Sequence, residues 1–151
     1  MILDSDLVVI KDWAKENYTK FKPNGYGRQY GILSEFNNIP KIIWDIKQNI
    51  VTEYNLESAP QEPIFKDFCG FITDGGQVHE HKDPNQGKLI HTRFNIMISK
   101  PEIGGNPVID GIEVNVKEGE MWICQAGLYK HYCTEVKGDK QRIILSFGFL
   151  I

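Results

Sequence analysis

The sequence predicts a mainly β fold, a double-sheet jelly roll or barrel, covered on its N-terminal side by at least one α-helix. Beyond Pro63, short apolar runs of strand length are separated by turns such as Asp74-Gly75-Gly76, Gly104-Gly105, Asp110-Gly111 and Lys137-Gly138-Asp139. Within Leu89 to Ser99, Ile90, Phe94, Ile96 and Ile98 share one face while His91, Arg93, Asn95 and Ser99 share the other. Before Pro63, Ile39, Ile42, Ile43, Ile46, Ile50 and Tyr54 recur at three- and four-residue steps, the spacing of an amphipathic helix.

Taken in order, Asp6 to Trp13 contains Leu7-Val8-Val9-Ile10, a largely β-branched run that reads as a strand. Lys15 to Tyr30 is polar, with a turn signal at Pro23-Asn24-Gly25, and is assigned to no element. Asn38 reads as the N-cap of the helix and Pro40 falls in its first turn, where a missing N–H costs nothing. The Ala59–Pro63 loop ends that unit. Strands are expected at Phe65–Thr73, Gln77–Lys82, Leu89–Ser99, Pro107–Ile109, Ile112–Val116, Met121–Cys124, His131–Val136 and Gln141–Leu150. The whole of 1–151 reads as one domain, with 1–63 as cover and 64–151 as barrel core.

A chain of 151 residues with 41% hydrophobic and 25% charged side chains has the composition of a globular protein with a sizeable core. Its net charge of −3 gives no field that would attract nucleic acid or a membrane. No apolar run reaches membrane-spanning length, and the N-terminus lacks the order of a signal peptide. Cys69, Cys124 and Cys133 form neither a disulfide framework nor a zinc motif and read as reduced thiols, so a soluble, cytoplasmic protein is expected.

All four histidines lie in the second half. His81-Lys82-Asp83 places an imidazole and a carboxylate two residues apart, on one face if the strand continues through them. Alone, such a pair equally describes the exposed end of a strand. His131, on a later strand, completes a two-histidine, one-carboxylate set of the kind that holds non-haem iron with positions left open. Arg142 follows eleven residues on, and a hairpin through Lys137-Gly138-Asp139 would set it beside the strand of His131. A guanidinium deep in a metal pocket suits a dicarboxylate that chelates the metal at one end and meets the arginine fork at the other. Ser146, four residues along the same face, is placed to donate to that carboxylate.

His81-x-Asp83, His131 and Arg142, with Arg93-Phe94-Asn95-Ile96-Met97, Gly104–Ile109 and Arg142–Phe149, resemble the Fe(II)- and 2-oxoglutarate-dependent dioxygenases. The matching branch is the small prolyl-4-hydroxylase-like proteins of bacteria and phages. The resemblance covers about 64–151 well and the N-terminal third only generally. It implies a double-stranded β-helix with Fe(II) held by His81, Asp83 and His131. It further implies 2-oxoglutarate as cosubstrate against Arg142, and O2 as oxidant. The implied reaction couples decarboxylation of 2-oxoglutarate to succinate and CO2 with hydroxylation of a C–H bond in a small-molecule or peptide substrate. In prolyl hydroxylases a tyrosine usually also touches the cosubstrate. Met97 or a neighbour stands near that position here, leaving Asn95 or Ser146 as substitutes.

Other residues carry plainer readings. His79 is a neighbour of the ligands, Arg93 and Asn95 line either the cavity or a polar outer face, and Glu80 is solvated. Trp122 and Tyr129 flank the distal histidine as core packing, Trp122 also being a candidate second-layer residue, and Trp13 and Trp44 are assigned to the core. The rival is a cupin using His79, His81 and His131, but the glutamate expected after its HxH pair is missing between Lys82 and Leu89. A zinc hydrolase lacks a defensible general base, and a non-catalytic module has no use for open metal positions.

Overall fold

Every residue from Arg142 to Leu150 is buried, yet the strand alternates between two chemistries. Ile143, Leu145, Phe147 and Phe149 enter the main hydrophobic core, while Arg142, Ile144 and Ser146 line a cavity. Strands covered on both faces ordinarily read as continuous apolar runs. Arg142 and Ser146 on one buried face therefore mean that this face encloses a partly polar space.

The computed structural model describes residues 2–151. Among them are two α-helices, α1 (Asp4–Glu16) and α2 (Lys41–Glu53). The strands are β1 (Lys22–Pro23), β2 (Arg28–Ile32), β3 (Asp67–Ile72), β4 (Val78–His81), β5 (His91–Ser99), β6 (Pro107–Ile109), β7 (Ile112–Glu113), β8 (Met121–Cys124), β9 (His131–Cys133) and β10 (Arg142–Leu150). They form two antiparallel sheets, β1-β2-β3-β10-β5-β8 and β4-β9-β6-β7. This is the expected mainly β, double-stranded β-helix arrangement with helical cover on the N-terminal side. Leu7, Ile10 and Trp13 of α1 and Ile43, Ile46 and Ile50 of α2 pack with Phe71, Phe94, Ile96, Leu145 and Phe147 of the larger sheet. The other face of that sheet fronts the cavity, which the smaller sheet closes from the opposite side.

The structure corrects several expectations. Asp6–Trp13 is helical, because Leu7, Ile10, Trp13 and Ala14 are buried at helical spacing while Val8 and Val9 face solvent. Acidic Asp4 and Asp6 in the first turn and Lys15 in the last suit the helix dipole. For α2 the N-cap is Pro40, not Asn38, since the extended backbone of Pro40 ends just before the first helical residue. Trp44 is 38% exposed on the outer side of α2, whereas Trp13 is buried as expected. The unassigned stretch after Lys15 supplies β1 and β2, so the strands outnumber the eight expected. No hairpin joins β9 to β10. They lie in different sheets, and β10 pairs with β3 and β5. No helix among the described residues is long and apolar enough to cross a membrane.

The helical reading of α1 is testable by truncation. Ile10→Ala empties a fully buried position and should lower unfolding free energy by about 2–4 kcal/mol. Val9→Ala, at an exposed helical site, should change it by less than about 0.5 kcal/mol. Equal losses in chemical denaturation would contradict a helix here.

Candidate metal centre and cavity

His81 ends β4 and His131 begins β9, and the two are direct partners across the strand pair. Their rings lie 4.3 Å apart by centroid. Each ring is oriented by the chain next to it. His81 Nδ1 lies 2.7 Å from the carbonyl of His79, and His131 Nδ1 lies 3.2 Å from that of Tyr129. A carbonyl only accepts, so in the neutral ring Nδ1 carries the proton and Nε2 keeps a free lone pair.

Asp83 lies beyond the end of β4, not on it as the two-residue spacing suggested. The register of β4 against β9 shifts between Val78 and His81, an irregularity of the kind found near sites. His79 packs edge-on against Tyr26, with centroids 4.1 Å apart. Asp83 is fixed by the neighbouring chain: its N–H donates to Ala126 O at 2.9 Å. Asn85 clamps the same loop by donating to Gly127 O at 3.2 Å and accepting from the His91 N–H at 3.0 Å. One ligand atom each from His81, Asp83 and His131 falls within 4.8 Å of the others. Among the described residues this is the one such group, and His79 is not part of it.

The charges respond to this crowding. The Asp83 carboxylate, 3.3 Å from His81 Nε2, holds the His81 imidazole above its ordinary value despite partial burial. Burial pushes Asp83 up, but the hydrogen bond from His81 and the histidines around it bring it below the usual carboxylate range. Burial lowers His131, and the charge of His81 lowers it further.

Alternation groups His91 with Arg93 and Asn95 and assigns it no role. It is 2% exposed, and neither ring nitrogen has a hydrogen-bond partner among the described residues. Its Nδ1 stands 3.6 Å from Asp83 Oδ2, just beyond hydrogen-bond length. Burial, then the charge of Arg93, keeps it readily deprotonated. An imidazole behind the carboxylate can be recognised from sequence only once the cavity face of β5 is known.

Behind the histidines lies a cavity of about 460 Å3, a size suited to a small ligand. Arg142 and Ser146 project into it from β10, and Asn95, the direct partner of Ser146, from β5. Arg142 is buried, donates from Nε to Gly105 O at 2.7 Å, and lies 5.7 Å from the ring of Trp122. Gly105 has positive φ, and a Cβ there would strike Pro101 Cγ at 2.6 Å and crowd Arg142 Cδ at 3.2 Å, so this approach of backbone to arginine requires glycine. Ser146 Oγ is buried with no partner among the described residues. Arg93 also lines the cavity, but its guanidinium is occupied by the buried Glu62 and by Lys66 O. Glu62 in turn accepts from the N–H groups of Ile64, Phe65 and Lys66. Gly148 leaves room for Arg93, since a Cβ there would meet its Nη1 at 2.7 Å.

Trp122 is buried against the cavity with Met97, Val116 and Ile144, whereas Tyr129 is 38% exposed and leaves the core reading. Glu80 is exposed as expected, 3.4 Å from Lys130.

No protein-family model and no curated protein sequence matches this chain. Solved structures do. The viral collagen prolyl hydroxylase of Paramecium Bursaria Chlorella virus-1, in complex with 2-oxoglutarate, matches with a TM-score of 0.73 at 14% identity, over 99% of this chain and 91% of that one. A Pseudomonas putida prolyl-4-hydroxylase gives 0.66 at 16% identity, over 98% and 87%. HygX from Streptomyces hygroscopicus, with nickel and 2-oxoglutarate bound, gives 0.68 at 9% identity, over 95% and 78%. The chain shares its fold with these prolyl hydroxylases. Two imidazole nitrogens and one carboxylate, gathered at the open end of such a barrel, suit a first-row divalent metal.

The metal-free protein offers a direct check. His81 should titrate above about 6.5, and His131 and His91 below it, in a histidine NMR titration. The attraction between His81 and Asp83 is then fully present below that ordinary value and fades as pH rises through the higher folded value of His81. Metal binding must displace the same proton, so affinity for Mn(II) should fall as pH drops through it. The opposite order of His81 and His131 would contradict the arrangement.

Proposed function

We propose that the protein is an Fe(II)- and 2-oxoglutarate-dependent oxygenase, a hydroxylase of the prolyl-4-hydroxylase-like type, with residues 1–151 forming its single oxygenase domain. One observation carries the reading. A metal-competent triad and a buried guanidinium without an acid partner among the described residues, Arg142, line the same cavity. An unpaired charge at that depth is costly, and a ligand carboxylate offsets the cost. In this reading His81, Asp83 and His131 would hold iron, each histidine offering the Nε2 that its Nδ1 contact leaves free. When bound, iron and 2-oxoglutarate supply the oxidising power for a C–H bond, with O2 as oxidant and succinate and CO2 as products.

The chain's own residues orient these groups. Arg142 pairs with the distal carboxylate of 2-oxoglutarate, held in line by Gly105 O and the face of Trp122. Ser146 Oγ donates to the same carboxylate, and Asn95 opposite supplies a second polar contact where prolyl hydroxylases usually place tyrosine. The apolar side chains of Ile144 and Met97 and the indole of Trp122 keep water from this end. The three cysteines are free and buried, and burial pushes Cys124 up to about 12, which leaves it an inert core thiol.

Anaerobic protein loaded with Fe(II) should develop a weak visible charge-transfer band on addition of 2-oxoglutarate. A folded wild-type protein that shows none would sink the reading. Arg142→Ala should weaken 2-oxoglutarate binding by roughly thirtyfold or more while metal binding persists. His131→Ala should weaken the metal itself.

A further inference from the structure

Three guanidiniums line the cavity, those of Arg28, Arg93 and Arg142. Glu62 neutralises Arg93. No carboxylate among the described residues pairs with either of the other two. Under the function proposed above, 2-oxoglutarate brings one carboxylate to the metal and one to Arg142. Arg28 is left with an unmatched charge.

Arg28 opens β2, and its place is set by the register of the larger sheet. It pairs with Ile72 of β3, and Ile72 pairs with Arg142 of β10. Residues directly opposite one another point to the same face, so the two arginines stand in one row, two strands or roughly 10 Å apart. Their guanidiniums are tied to different parts of the chain, Arg142 to Gly105 O and Arg28 to Asn24 O and Gly25 O. The position is also rigid. Tyr26 and Gly27 both have positive φ, and the turn is bonded to the β3–β4 connection by Thr73 N–H to Gly27 O and Gln77 N–H to Tyr26 O, each at 3.1 Å. A Cβ on Gly27 would come within 2.9 Å of the Gly76 backbone, so the close approach needs glycine.

Within this frame the Arg28 guanidinium is half-buried and donates only to backbone, from Nη2 to Asn24 O at 2.9 Å and from Nε to Gly25 O at 3.4 Å. Nη1 has no partner among the described residues. Burial lowers its pKa below the usual arginine value, as expected of a charge that has lost water without meeting an acid. Beside it the cavity wall is aromatic: Tyr26 against His79, and Tyr30 edge-on to Phe65 at 5.3 Å.

We propose that Arg28 is the anchor for a carboxylate on the oxidised substrate, making this a site for carboxylate-bearing molecules, with the aromatic wall taking the substrate's apolar body. The inference rests on the oxygenase reading for the anion at Arg142 and for the oxidation of the bound molecule; the carboxylate site at Arg28 does not depend on it.

The test uses full-length protein loaded with Co(II) and 2-oxoglutarate. The probes are the free L-amino acids, their carboxamides, and N-acetyl dipeptides with free or amidated C termini. Binding is read by paramagnetic broadening of probe NMR lines. Among the probes that bind, the carboxylate forms should bind about tenfold or more tightly than the matching amides. Arg28→Gln should abolish that preference and Arg28→Lys restore part of it. Amino acids against peptides then show whether the carboxylate comes from a small molecule or a chain terminus. No binding by any carboxylate, or a preference that survives in Arg28→Gln, overturns the assignment. Loss of the Fe(II)–2-oxoglutarate band in Arg28→Gln also overturns it, by making Arg28 a cosubstrate residue. If wild type shows no such band but Arg28-dependent carboxylate binding persists, the oxygenase reading fails and the anion site stands.

Discussion

Burial of β10 and β5 on both faces is the constraint on which the rest of the structure depends. Phe147, Leu145 and Phe94 can leave water only if helices cover one face, and α1 and α2 do so. Arg142, Ser146, Asn95 and Arg93 occupy the other face and cannot reach bulk water freely. Each polar group there must find a partner in the protein or bind one from outside. Arg93 finds Glu62. Arg142 finds a carbonyl for one nitrogen, and Ser146 finds nothing among the described residues. The groups left unmatched define what the cavity is built to hold.

The metal-competent cluster depends on irregular backbone at the rim. Beyond a register shift in β4, His81 stands opposite His131, and Asp83 reaches them from a loop tied to Ala126, with Asn85 as a second tether. Carbonyls at His79 and Tyr129 then choose the tautomer of each histidine. Rigid strands place two donors, and a tethered loop places the third. The loop gives Asp83 a position that strand alternation could not, and it brings the carboxylate against His91.

Much of the site was legible because its chemistry is written in residue types that a core does not tolerate without reason. His81, Asp83, His131 and Arg142 stood out by spacing and order, and the structure brings all four to one cavity. Alternation in Leu89–Ser99 separated Phe94, Ile96 and Ile98 from the polar set correctly. It did not say that the polar side was buried as well, since an outer face and an enclosed cavity produce the same pattern. The run Leu7-Val8-Val9-Ile10 misled because β-branching was weighed without asking which residues were buried, and packing outweighed that local preference. Arg28 was unreadable for a related reason: β2 is short, nearly half polar, and acquires meaning only beside β3.

By itself the sequence determined the class of fold, the covering helix and four polar residues that the structure gathers at one cavity. Periodicity and side-chain type are local properties, so they survive without coordinates. The tertiary structure decided which strands are neighbours. Eight residues separate β9 from β10, yet the two strands belong to opposite sheets, and His131 faces Arg142 across a cavity, not along a hairpin. It also set Arg28 in line with Arg142 through Ile72 and placed His91 behind Asp83. These are contacts between distant parts of the chain, chosen by how two faces of one sheet can both be covered at once.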